Sequence, residues 1–207
     1  MNQEKSECHY PGCKENLLAS SKKGHCIFHA EREEKDTREF NEALENYVNQ
    51  IKAKDLDYNF RNFIFVGHTN FRSLFNLTVS KDIDFGEAEF YGNVNFAGVK
   101  FKKNFLCREA EFHGDCFFIG AKFYGETYFE RTGFHGKTWF MTAKFHEAVY
   151  FMRTRFYRDA RFEGAEFRGR AFISPEFMKE KVFFTRATLE NISLTPLNLD
   201  KDWTAPL

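Results

Sequence analysis

Residues 121–145 read AKFYGETYFERTGFHGKTWFMTAKF, and a large apolar residue returns in them at Phe123, Phe129, Phe134, Phe140 and Phe145, at gaps of six, five, six and five. Two residues ahead stand small or β-branched partners such as Ala121, Thr127, Thr132 and Ala143. The same alternation extends outward from Ile83 to Leu189 as two series, each returning at every eleventh position. One runs through Phe85, Phe96, Cys107, Phe118, Phe129, Phe140, Phe151, Phe162, Ile173 and Phe184; the other runs from Phe90 through Phe112 and Phe134 to Met178 and Leu189. A fixed period of this kind has to be settled before any local assignment.

An 11-residue repeat also describes a right-handed coiled coil. Two facts exclude it. Offsets of zero and five fall on different faces of a helix, and Gly92, Gly114, Gly125, Gly136 and Gly169 recur where a long helix would not tolerate them. Enrichment in Phe, Thr, Tyr and Val with local i, i−2 alternation predicts short extended segments separated by turns.

The array has a beginning and an end. A first fragment, Phe60, Phe65 and Phe71, keeps the alternation, but Phe71 and Phe85 stand three positions further apart than the period allows. Three extra residues within Arg72–Asp82 are therefore expected to bulge out as a loop. At the other end Phe184, Leu189, Leu194 and Leu199 are spaced by five. Leu194, Leu197, Leu199 and Trp203 are expected to cap the last coil or to meet a second copy.

Units such as Ala88-Glu89-Phe90-Tyr91-Gly92, Ala121-Lys122-Phe123-Tyr124-Gly125 and Ala165-Glu166-Phe167-Arg168-Gly169 resemble the pentapeptide-repeat family in a phenylalanine-rich variant. The resemblance covers about two thirds of the chain. It implies an all-β solenoid, a right-handed quadrilateral β-helix whose central Phe and preceding small residue point inward. The alternating sixth residue departs from the family pattern, making one coil about 22 residues long, with a bulge on two opposite sides. Coils stacked about 4.8 Å apart would give residues 83–189 about five turns with a filled interior. The family resemblance also implies two behaviours: dimerisation through a terminal coil, and, for some members, binding of type II topoisomerases by imitating duplex DNA, which protects against quinolones.

Composition bears on those expectations. The 207 residues include 28 phenylalanines, which must be buried, and 30 basic against 30 acidic residues. From Asp82 to Glu190 there are 17 bases and 16 acids, which argues against DNA mimicry, since that needs a strongly negative rod. Basic charge collects at Arg153, Arg155, Arg158, Arg161, Arg168 and Arg170, which, together with the cysteine- and histidine-containing N-terminal segment, raises direct nucleic-acid binding as a further reading. Interleaved glutamates point instead to a salt-bridged surface. No apolar run is long enough for a membrane span and the first residues are polar, so a cytoplasmic chain is expected.

Ahead of the array, Cys8-His9-Tyr10-Pro11-Gly12-Cys13 is followed after twelve residues by Cys26-Ile27-Phe28-His29, the layout of a zinc knuckle. Cys8, Cys13, Cys26 and His29 are the expected ligands of a structural Zn²⁺. His9 and His25 are alternatives, disfavoured because each adjoins a cysteine. Reduced free cysteines in an unstructured tail are the plainer account. Four protein ligands leave no position for water, so the site is expected to be structural or an adaptor surface. Residues 31–56 lack Gly and Pro and place Phe40, Leu44, Tyr47, Val48 and Ile51 on one face, predicting an amphipathic helix that caps the open end of the array. A helix that binds a partner is the rival account. The expected organisation is a zinc segment over 1–30, the helix over 31–56, the β-helix over 57–199 and a tail over 200–207.

The exact period makes the outward columns readable. Leu106, Tyr128, Tyr150 and Phe172 fall on one face and Phe117, Trp139 and Phe183 on the opposite one. Phe117, Tyr128, Trp139, Tyr150 and Phe172 are the candidate partner-binding residues. The competing account lays these rings along the wall, packed on neighbouring coils. His113 and His135 share a further column, with Tyr124 and His146 opposite, and no carboxylate column is expected beside them. Cys107 and Cys116 lie in inward columns as small buried hydrophobes. With no Ser/His/Asp cluster, phosphate loop or paired carboxylates, the expectation is no enzyme and no small-molecule substrate but a protein-interaction or scaffold protein.

Overall fold

The computed structural model describes residues 7–10, 13, 15, 18, 21–179 and 181–194. The tail 200–207, with Leu197, Leu199 and Trp203 of the expected C-terminal cap, lies outside them. The chain forms an all-β parallel solenoid of about six turns. Two-residue strands pair in register with strands one turn away. Ile83 pairs with Phe105 and that with Thr127; Glu89 with Glu111 and Gly133; Val94 with Cys116 and Thr138; Lys100 with Lys122 and Lys144. Every one of these pairs is parallel.

The interior is a set of phenylalanine columns. Phe65, Phe90 and Phe112 stack with centroids 4.3 and 4.5 Å apart, and Phe96, Phe118, Phe140, Phe162 and Phe184 continue a second column at 4.7–5.0 Å. Adjacent columns meet edge to face, as at Phe118 and Phe129, the arrangement aromatic quadrupoles favour. Where the repeat places Cys107 at a position usually held by Phe, Phe105 occupies the partner position usually held by a small residue. Both are fully buried, so the size exchange between the two inward columns conserves volume.

Two backbone devices turn the corners. In the gaps of five, one residue adopts a left-handed conformation at every eleventh position: Glu87, Gly98, Glu109, Gly120, Arg131, Thr142, Arg153 and Gly164. The next position of that series is Pro175, which cannot take positive φ. Just before it the chain forms a nine-residue strand, Glu166–Ser174, that runs through the preceding gap of six. In the gaps of six, a side chain caps the amide of the next turn. Asp82 Oδ1 accepts from Asn104 N–H at 2.8 Å and Asn104 Oδ1 from Glu126 N–H at 3.1 Å, while Asn93 Oδ1 and Asp115 Oδ1 repeat the contact on Asp115 and Lys137. The sixth residue thus exposes an amide that a short polar side chain satisfies.

The phase break near Phe71 is built differently from the expected loop. Residues Phe71–Leu74 form a short helix, α2, capped by Asn70, and Asn76 and Leu77 are left-handed. Pairings across the break, Tyr58 with Ile83 and Ile64 with Glu89, join positions three further apart in the chain than the pairing beyond it, Thr78 with Lys100. Burial of Phe71 and Phe75 draws the three extra residues into helix, because both rings can then remain in the core.

Helix α1, Thr37–Lys54, covers the first turn. Asp36 is its N-cap, accepting from the amides of Arg38 and Glu39, and Asp55 ends it in the left-handed conformation. Phe40, Leu44, Val48 and Ile51 are buried, with Phe40 against Phe65 and Tyr47 donating to Asn59 O at 2.7 Å. No helix among the described residues is long and apolar enough to cross a membrane.

Candidate metal centre and outward columns

The four ligand atoms of Cys8, Cys13, Cys26 and His29 lie within 4.8 Å of one another. Cys13 Sγ is 3.8 Å from Cys26 Sγ, and His29 Nδ1 is 3.3 Å from Cys26 Sγ and 3.8 Å from Cys8 Sγ. Metal–sulfur bonds of about 2.3 Å at tetrahedral angles place two sulfurs about 3.8 Å apart, so the donor set fits a tetrahedral ion. The chain supplies the preorganisation locally. A turn in which His29 N–H and Ala30 N–H both bond to Cys26 O brings Cys26 and His29 to one side. Cys8 Sγ accepts from the amides of Cys26 and Tyr10 at 3.1 and 3.5 Å, which fix its place in the cluster. Tyr10 lies flat on the His29 ring at 4.1 Å and fixes its plane.

Burial pushes the Cys26 thiol up to about 12 and raises that of Cys13, because a lone thiolate is poorly solvated there. Burial, with Lys35 nearby, holds His29 down at about 4, so its ring is a neutral donor. A divalent cation reverses the penalty on the thiolates. The two alternative ligands are engaged elsewhere: His9 Nδ1 is 3.2 Å from Lys23 O, and His25 Nδ1 is 2.9 Å from His29 O.

The five candidate partner-binding residues divide between two strand stacks. Phe117 and Trp139 lie parallel at 4.6 Å in one; Tyr128, Tyr150 and Phe172 continue at 4.7 and 4.9 Å in another. All five are half-buried, with their faces against one another and their edges toward solvent. Arg108 closes the upper face of Tyr128 at 4.0 Å, and the Tyr128 hydroxyl donates to Glu126 Oε2.

A third ladder was only half visible in the sequence. Tyr91, His113, His135 and Tyr157 stack at 4.4, 4.8 and 4.4 Å, with the Arg32 guanidinium over Tyr91. The expectation that no carboxylates stand beside the histidines is overturned. Glu89 lies 3.7 Å from His113 Nε2, and Glu111 2.8 Å from His135 Nε2. Each glutamate belongs to the turn before its histidine, so the contact spans 24 residues and a search within one repeat does not find it. An offset of one turn plus two positions does.

The arginine-rich end is interleaved with acids in space as well as in sequence. Arg155 pairs with Glu111, Arg161 with Glu163 at 3.7 Å, and Arg168 with Glu166 at 2.9 Å. Cys107 and Cys116 are fully buried, and burial raises both thiols well above their ordinary range. Compared with protein-family models, with characterised proteins and with solved structures, the chain has no match.

Proposed function

We propose that the chain is a non-catalytic interaction or scaffold protein of the pentapeptide-repeat type, a right-handed quadrilateral β-helix whose coil has four sides alternating between five and six positions in length. Its N-terminal segment is a structural zinc knuckle. The observation that carries the reading is the straight registration of outward side chains, with Tyr128, Tyr150 and Phe172 held parallel at 4.7 and 4.9 Å on a wall backed by packed phenylalanine. A rigid surface of this kind loses little entropy when a partner docks on it. Three thiols and one imidazole converging at tetrahedral separations support Zn²⁺ as the ion.

Affinity capture with the wild-type chain beside a Tyr128→Ser, Trp139→Ser, Tyr150→Ser variant tests the surface. The expected result is selective loss of a partner from a variant whose circular dichroism is unchanged. Equal recovery of every partner by a folded variant overturns the aromatic columns as the binding surface.

A further inference from the structure

We propose that the Cys8, Cys13, Cys26 and His29 site is a metal-operated latch on the N-terminal end of the solenoid: bound metal keeps the strand Ile64–Phe65 covered, and loss of metal uncovers its edge. The inference rests on the zinc reading above and adds what the metal controls.

The path runs through Phe28, which stands between two ligands and whose position both therefore fix. Its ring lies parallel to Phe63 at 4.5 Å and meets Tyr47 at 5.2 Å. Its carbonyl accepts the Ile64 amide at 2.8 Å. Lys35 Nζ bridges the joint, donating to Phe28 O at 3.1 Å and to Ile64 O. The ligand His29 itself meets Phe63 edge to face at 5.3 Å.

The strand Ile64–Phe65 begins its stack. On one side it pairs with Glu89–Phe90; on the other, among the described residues, Ile64 bonds to the knuckle and to Lys35. A segment of roughly thirty residues with so little apolar surface holds its fold through the metal. When the ion leaves, Phe28 loses the tie of its two flanking ligands and is held only by its ring packing on Phe63, Tyr47 and Phe40 and by the Lys35 contact. The acceptor of the Ile64 amide is released far more often as a result. The first turn then presents an open strand edge, a template for an added strand. Helix α1 remains seated, because Phe40, Leu44, Val48 and Ile51 pack on the solenoid independently of the ligands. The latch therefore acts on one corner of the end and leaves the rest of the cap in place.

Amide exchange on the full chain loaded with one equivalent of Zn²⁺, before and after chelation, reads the latch directly. Exchange at Ile64 should rise by at least about tenfold on chelation, while the amides of Tyr124 and His146 in the middle of the solenoid stay protected. Unchanged protection of Ile64, with metal analysis showing that the ion has left, overturns the latch. Absence of bound metal before chelation overturns the zinc reading instead. Phe28→Ala keeps all four ligands and the carbonyl that accepts Ile64 but removes the ring that seats it on Phe63 and Tyr47, so it should bind Zn²⁺ and yet protect Ile64 less than the loaded wild type does. Undiminished protection of Ile64 in the loaded variant would exclude the Phe28 ring as the route.

Discussion

His135 Nε2 lies 2.8 Å from Glu111 Oε2, and the same carboxylate receives Arg155 from the other side. Glu111 reaches both because residue 133, directly below it in the stack, is glycine. A Cβ at Gly133 would overlap Glu111 Oε2. Gly133→Ala must therefore push the carboxylate off His135 and Arg155. Since the clash is with the end of a flexible side chain, the cost should be modest, about 1–2 kcal/mol by urea denaturation. In a Glu111→Ala background the same change should cost less, and strict additivity of the two losses would refute the coupling.

Gly114 offers a contrast of kind. A Cβ there would lie 2.5 Å from both the carbonyl carbon and oxygen of Gly92 one turn away. Backbone cannot swing aside as a carboxylate can. Gly114→Ala should destabilise the solenoid by about 3 kcal/mol or more and disrupt pairing near Val94 and Cys116. A loss no larger than that of Gly133→Ala would show that the turns can separate locally at little cost.

These two glycines also mark how far the sequence could be read. The parallel solenoid was legible because every turn repeats the same inward residues, so Phe90, Phe112 and Phe134 identify one another. The helix face Phe40, Leu44, Tyr47, Val48 and Ile51 and the four clustered ligands followed from spacing in the same way. Contacts between turns were harder. Glu111 meets His135 through a register that exists only once the turns are stacked, and nothing in either residue's own unit announces it. Helix α2 was illegible for the opposite reason. It occurs once, so the three extra residues had no second copy to reveal that Phe71 and Phe75 share a buried face.

Thr142 is a β-branched residue held at φ +55°, in a series where Gly98, Gly120 and Gly164 meet the same demand without a Cβ. Its side chain is exposed, so little packing offsets the strain. Thr142→Gly should stabilise the chain by about 1 kcal/mol, the relief of left-handed strain exceeding the added flexibility of the unfolded state. The unfolding midpoint in urea reports this. A lower midpoint for the glycine variant would mean that the threonine contributes contacts larger than its strain.

Burial, assisted by His135, holds His113 below its ordinary value of 6.5, and burial together with Arg168 does the same to His146. Both bind protons more weakly in the native state than in the unfolded chain. Their contribution is therefore constant above about pH 6.5, and stability falls as pH drops below it. Acid loss from carboxylates such as Glu166, held below 4.5 by Lys144, belongs to a lower window. The urea midpoint should decline between about pH 7.5 and 5.5, and His113→Gln should flatten that decline. An equal slope in the variant would move the dependence to other groups.

Metal uptake has its own proton signature. With Cys26 pushed up to about 12 and Cys13 also raised, both thiols hold their protons at neutral pH, while His29, held at about 4, has none to lose. Zinc must displace the thiol protons to bind, so at least about two protons per ion should be released, and affinity should weaken steeply as pH falls. Calorimetric titration in two buffers of different ionisation enthalpy measures that number. Cys26→Ser removes the ligand that stands 3.8 Å from Cys13 and 3.3 Å from His29, so it should abolish stoichiometric binding. Tight binding by that variant, or binding without proton release in the wild type, would mean that the ion sits elsewhere on the chain.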